Sequence, residues 1–271
     1  MVRGGVAENL TLTDGYDFFT PVKFTAANVS YTRTFTLAAN GSSGWNTLFL
    51  PFTATTVTCD GIGEVDWFHS ANDTGRNFWL RNFISDGEGS VAFNYASEVA
   101  IAANTPYIIA VPDNRFGDEW QMTGKTVTFS GSNVDIAASV SPDGSGTLVT
   151  PGISGNHYKF CGTTKAVSVG GTAPDASSAY LLNASGSKFV KANTSTDVAP
   201  FRAWFVPVSI SSLTLPSLSI GSSEFTGIVS LADDNLSKRA DVWYTLDGRR
   251  LPSAPVAPGI YINKGNKIVI K

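Results

Sequence analysis

The sequence predicts an all-β protein: a β-sandwich or barrel-like main body followed by a small C-terminal β module. Three observations carry this reading. Short runs of alternating, β-branched and aromatic residues recur throughout the 271 residues, separated by Gly-, Asn- and Asp-rich turns. A helical period is almost absent. Composition agrees: 26 Gly, only 15% charged residues and abundant Ser and Thr favour strands and turns over helix interiors.

The elements follow in order. VSYTRTFTL (residues 29–37) alternates, and NGSSG (40–44) breaks it. WNTLFLPF (45–52) follows, with Pro51 placed for a strand end or edge. VDWFHS (65–70) and NFWLRNFI (77–84) flank ANDTGR, which reads as a hairpin loop, and DGEG separates the second run from SVAFNYA. PYIIAVP (106–112) reads as a strand apolar on both faces. KTVTFSGS, HYKFCGT, AYLLNASGSKFVKA and FRAWFVPVSI continue the pattern. Only SEVAIAAN (97–104) has the makings of a helix, stopped by Pro106. WNTLFLPF and FRAWFVPV share one aromatic-apolar-Pro plan and are expected to be neighbouring core strands, with Trp45 and Trp204 in the core. Many short strands at close spacing imply a sandwich or barrel.

Three segments are expected: a β-sandwich-type body over 1–220, a Ser/Gly/Asp-rich linker over 221–240, and a β-hairpin module over 241–271. Leu213 to Ile220 alternates and is placed to close the body. Charge changes sharply near the end. Residues 236–271 hold seven of the 19 Lys and Arg and two of the 22 acids, about +5 against about −8 elsewhere. In this segment VWYTL and RRL flank DG, and GIYI and KIVIK flank NKGN, two hairpin signals. A basic hairpin array also reads as an ordinary protected sheet edge.

The residues VWYTLDGRRL…PGIYINKGNKIVIK resemble the C-terminal segment of many exported proteins of Bacteroidetes, of the Bacteroides and Prevotella type. Tyr244, Leu246, Gly248, Arg249, Leu251, Gly259, Ile260, Tyr261, Lys267 and Lys271 carry the likeness. Such tails act as sorting signals for type IX secretion, and this one is shorter than the typical signal domain. In the body, WNTLFLPF, ANTPYIIAVP and FRAWFVP are similar to phrases of that phylum's uncharacterised secreted and cell-surface β modules. The resemblance implies an extracellular or outer-surface location and a tail that meets secretion machinery. It implies no particular chemistry.

Several function classes lose ground on sequence. The body has no basic face for nucleic acid, and no run reaches the roughly 18 apolar residues of a membrane helix. The start, MVRGGVAENLTLTDGYDFF, has no apolar leader, so for an exported protein the leader is expected upstream of Met1. The two histidines, His69 and His157, lie in strand-like contexts, and neither a G-x-S-x-G, an H-E-x-x-H nor a phosphate loop occurs. Cys59 and Cys161 read as buried small hydrophobes or as a disulfide pair. The acids of DGIGEVD and SDGEG read as turn residues rather than a calcium loop. No cofactor or metal is expected.

The expected function is a non-catalytic secreted or cell-surface module that binds glycan or another surface partner; glycan leads because aromatic faces stack on sugar rings while polar neighbours fix hydroxyls. VDWFHSANDTGRNFWLRNF gathers Trp67, Phe68, His69, Phe78 and Trp79 around a polar loop with Asn72, Asp73 and Arg76. Trp67 and Phe68 must face opposite ways on a strand. RFGDEWQ adds Trp120. The candidate ligand residues are therefore Trp67, His69, Asp73, Arg76, Trp79 and Trp120. Core or edge packing is the competing explanation for these rings. The alternatives are a ligand-free accessory or spacer domain of a larger enzyme or adhesin, and a glycoside hydrolase with a carboxylate pair.

Overall fold

The computed structural model describes residues 2–3, 5–87, 89–139, 152–171, 178–208, 215–222, 243–245, 250–251, 255, 259–263 and 266–270. It is built from strands, as the sequence predicts. These are β1 (Val2–Arg3), β2 (Val6–Thr13), β3 (Phe24–Thr34), β4 (Asn46–Phe49), β5 (Thr56–Cys59), β6 (Gly63–Val65) and β7 (Trp67–Phe68). β8 (Phe78–Gly87), β9 (Ser90–Tyr95), β10 (Pro106–Ala110), β11 (Thr126–Ile136), β12 (Gly152–Ser154) and β13 (Tyr158–Thr163) follow. Then come β14 (Val167–Val169), β15 (Tyr180–Leu182), β16 (Lys188–Lys191), β17 (Thr196–Val198), β18 (Arg202–Pro207) and β19 (Ser217–Ser222). The last four are β20 (Trp243–Thr245), β21 (Arg250–Leu251), β22 (Gly259–Asn263) and β23 (Asn266–Ile270). Among the described residues the only helical turns are two 3₁₀ turns, Asn114–Phe116 and Asp118–Trp120.

The chain divides into two compact units, Met1–Glu224 and Phe225–Lys271. In the first, six strands form one sheet in the order β1-β2-β3-β11-β5-β6. A second sheet of 11 strands runs β12-β13-β18-β15-β16-β19-β9-β8-β10-β4, with β7 beside β8. This larger sheet curls until β4, at its end, meets β18. There the Ala203 N–H donates to Thr47 Oγ1 at 3.0 Å and the Phe49 N–H to Phe201 O at 3.2 Å. The two runs sharing an aromatic-apolar-Pro plan are thus neighbours, and Trp45 and Trp204 are buried.

Curling gives the sheet two buried faces. Its outer face packs Leu48, Phe78, Leu80, Tyr107 and Ile109 against Val29, Tyr31, Val57, Val127 and Phe129 of the six-stranded sheet. Its inner face encloses Phe83, Phe93, Phe160, Phe189 and Phe205, which pack mostly edge to face. β10 belongs to both: Tyr107 and Ile109 enter the first core, Ile108 and Ala110 the second. Period two does this directly, since successive side chains leave a strand on opposite faces. A bulge at Ile84 shifts the β8–β9 register between Phe83 and Ser85. The extra residue turns Asp86 to the same side as Phe83.

Two local expectations are corrected. The segment 97–104 is not a helix. Ile101 exchanges both backbone hydrogen bonds with Ala54 at 2.9 Å, so its amide is committed to a bridge and not to an i→i−4 ladder. The ANDTGR stretch is not a hairpin loop, because β7 pairs with β8 in parallel, Trp67 opposite Phe78 and Phe68 opposite Trp79. The connection has to carry the chain back to its start. Asp66 organises that return: its carbonyl accepts the Asn77 N–H at 2.9 Å and the Phe78 N–H at 3.2 Å.

β19 runs through Gly221 and Ser222, the first two residues assigned to the linker, and joins β16 to β9. Residues 223–240 lie outside the described residues, as do 213–214. In the second unit four strands form a sheet in the order β21-β20-β22-β23, all antiparallel. β20 with β21 and β22 with β23 are the two pairs the turn signals predict, while the turn residues 246–249 and 264–265 lie outside the described residues.

Candidate functional site

The six predicted residues separate into two groups on opposite sides of β7 and β8. Trp67 points into the first core and is 4% exposed, with its Nε1–H donated to Ala96 O at 2.8 Å. A ring covered on both faces has none to offer a sugar, so Trp67 is a core residue and not a ligand platform. The alternation rule that turns Trp67 inward turns Phe68 outward.

His69, Asp73 and Arg76 build the loop above Trp67. His69 Nδ1 lies 3.1 Å from Ala96 O, which can only accept, so the ring carries its proton there. Asp73 accepts from the His69 N–H at 2.7 Å, the Ser70 N–H at 3.2 Å and the Ser70 hydroxyl at 2.9 Å. The His69 amide, then the Ser70 hydroxyl, holds its carboxyl below the usual carboxylate range. Arg76 Nη1 is hydrogen bonded to Asp66 Oδ2, and its Nε is 3.9 Å from Asp73 Oδ2. These polar groups are spent on one another. They shape the connection between β7 and β8 and leave little free for a ligand.

Trp79 lies on the other face, partly exposed. Its ring stacks on Phe68 at 5.1 Å between centroids and 21° between planes. It also meets Phe116 at 5.4 Å between centroids and 59° between planes. Phe116 is 47% exposed, and it stands on the Asn114–Phe116 turn beside the turn that carries Trp120. Asp113 caps this loop by accepting the Arg115 N–H at 3.1 Å, and Arg115 reaches Ala39 O at 2.9 Å. The fold therefore brings Trp79 and the Trp120 loop together through Phe116. It forms a ladder Phe68–Trp79–Phe116 at the rim of the curled sheet.

Beneath the ladder, two residues along β8, Arg81 faces the same way. Its guanidinium carbon lies 4.4 Å from the centroid of Tyr95, its cross-strand partner, and 5.3 Å from Trp45. Below Arg81 comes Phe83, already in the aromatic core. Phe116, Arg81 and Tyr95 were not among the residues expected from sequence. The FWLR spacing does place Trp79 and Arg81 on one face, but nothing local says that Phe116 arrives from a distant loop.

Elsewhere the groups that could do chemistry are occupied. Cys59 and Cys161 are free and buried, and burial pushes the Cys161 thiol up to about 11. Asp86 is fully enclosed and accepts backbone N–H groups from Asn156 at 2.9 Å, His157 at 2.8 Å and Tyr158 at 2.6 Å. A cavity of about 250 Å³ lies along Leu10–Thr13, Tyr16–Phe18 and Phe201. Its one carboxylate, Asp17, already accepts the Ala166 N–H at 2.8 Å. Among the described residues no three His, Cys, Asp or Glu side chains gather as a metal would require. No helix among them is long and apolar enough to cross a membrane. Compared with known proteins, the chain matches no family model, no curated protein and no solved structure.

Proposed function

We propose that the protein is a non-catalytic, exported or surface-displayed module that binds glycan on the Phe68–Trp79–Phe116 ladder. The ladder is the observation that carries this reading. Three rings sit in sequence at 5.1 and 5.4 Å at the edge of the second core, against which Trp79 packs, and the outermost is 47% exposed. Large rings that need not leave solvent for packing are the usual anchors of shallow binding surfaces. Strands hold Phe68 and Trp79, and the Asp113-capped turn holds Phe116, so little ordering is spent on binding. The C-terminal unit serves export or anchoring in this reading, on the strength of the residues of β20 to β23 that resemble sorting tails.

The test is a glycan array followed by titration of each hit against Trp79→Ala and Phe116→Ala. Losing one anchoring ring costs about 2 kcal/mol, or about 30-fold in Kd. Trp67→Phe, a change within the core, leaves ligand affinity unaltered. Absence of any glycan hit, or equal affinity in Trp79→Ala, refutes the proposal.

A further inference from the structure

We propose that the sugar recognised at this site is acidic, and that Arg81 is the group that takes its carboxylate. The inference rests on the ladder being the glycan site and adds the chemical class of its ligand.

Arg81 differs from the other arginines of the body whose side chains are described. Arg33, Arg76, Arg115 and Arg202 each meet an aspartate. Among the described residues Arg81 has no ion-pair partner and no hydrogen-bond acceptor. Its Nε is sealed from solvent without a partner. Nη1 and Nη2 are likewise unbonded but not sealed, so the outer edge of the guanidinium is what solvent reaches. The cation is held by ring faces alone, Tyr95 at 4.4 Å and Trp45 at 5.3 Å. Ring faces attract the charge and fix its plane without using its N–H groups.

This arrangement leaves a pre-set fork. A planar carboxylate accepts two parallel N–H bonds from a guanidinium edge, and the contact gains strength where neighbouring rings exclude water. The fork's place is as informative as its chemistry. Arg81 stands two residues from Trp79 on the same face of β8, about 6.6 Å along the strand. A sugar stacked on the ladder would carry its substituents within reach of that edge. No acid of the neighbouring elements competes. Asp86, the acid of β8, is taken by the amides of Asn156, His157 and Tyr158, and Glu98, just past β9, faces Asn82 on the opposite side of the strand at 3.3 Å. Asp113 is taken by Arg115.

The experiment measures binding of the full chain to a galacturonate oligomer, its methyl ester, a sulfated oligosaccharide and a neutral cello-oligosaccharide. The expected result is at least tenfold tighter binding of the free acid than of its ester. Raised salt weakens the acid and leaves the ester unchanged. Arg81→Gln removes the preference while ester binding persists; Arg81→Lys keeps the charge, loses the fork and falls between. Should Arg81→Gln fail to fold, the Arg81→Lys comparison and the acid–ester ratio of the native chain decide alone. Equal binding of acid and ester, preference for sulfate over carboxylate, or an unchanged preference in Arg81→Gln overturns the assignment and leaves the glycan reading standing. Loss of all binding on a full glycan array sinks both.

Discussion

Replacing Asp86 by Asn removes one charge and exchanges one oxygen for an amide, with almost no change of shape. The structure says where that hurts. Asp86 Oδ2 accepts the His157 N–H at 2.8 Å and the Tyr158 N–H at 2.6 Å, and Oδ1 accepts the Asn156 N–H at 2.9 Å. Asn can keep its oxygen on the first two donors. Its NH₂ then confronts the Asn156 N–H, donor against donor, in a place where the side chain has no solvent exposure. Weakening two charge-assisted bonds and losing a third costs about 3 kcal/mol. With a urea slope of about 3 kcal/mol/M, the unfolding midpoint at pH 7 drops by about 1 M. The pH dependence is a second signature. Burial pushes the Asp86 pKa up, but the amides of His157, Tyr158 and Asn156 overcome it and leave it below the ordinary value. A carboxyl with a lowered folded pKa adds stability above its unfolded pKa, about 3.9, and loses it as pH falls through the folded value. The gap between native and Asp86→Asn midpoints is therefore full at pH 7 and narrows below pH 4. Midpoints that coincide at pH 7, or a gap that widens in acid, would refute the reasoning.

Gly162→Ala places a methyl group inside the Phe49 ring of β4, which packs across the curl onto β13; the expected loss is about 3 kcal/mol, read as a fall in Tm of the body. Asp14→Asn can keep its oxygen on the Tyr31 hydroxyl and Arg202 Nη1, both at 2.7 Å, but turns its NH₂ on Arg202 Nη2, which Oδ2 accepts at 2.9 Å, and leaves the buried Arg33, already lowered to about 10 by burial, without its counter-charge. About 3 kcal/mol is expected from denaturant titration, with the pair of arginines repelling each other more at low salt. Both thiols should resist a water-soluble thiol reagent in the folded protein and react together on unfolding, since each is buried and burial raises each pKa.

The sequence made the strand content readable because alternation is a local signal. PYIIAVP announced a strand buried on both faces, and Trp67 with Phe68 announced one ring in and one ring out. Pairing was less readable. VDWFHS and NFWLRNFI look like two arms of a hairpin, yet β7 and β8 run parallel, because the Asp66 carbonyl and the Asp73 carboxylate wind the connection back on itself. SEVAIAAN has helical residues, but the tertiary bridge to Ala54 overrides a weak propensity. The site shows the same division. Trp79 was legible as an aromatic on a polar-flanked strand. Tyr95 is the cross-strand partner of Arg81, but Trp45 reaches it only through the pairing of β4 with β10 and β10 with β8, and Phe116 arrives from a separate loop, none of which local alternation specifies.

The strand Pro106–Ala110 works as a party wall. Tyr107 and Ile109 furnish one room while Ile108 and Ala110 furnish the other. Neither room can be vacated alone, because sliding or peeling this strand strips both at once. Heating the body should consequently give one calorimetric peak, and damage on either side of the wall should lower the melting of the whole.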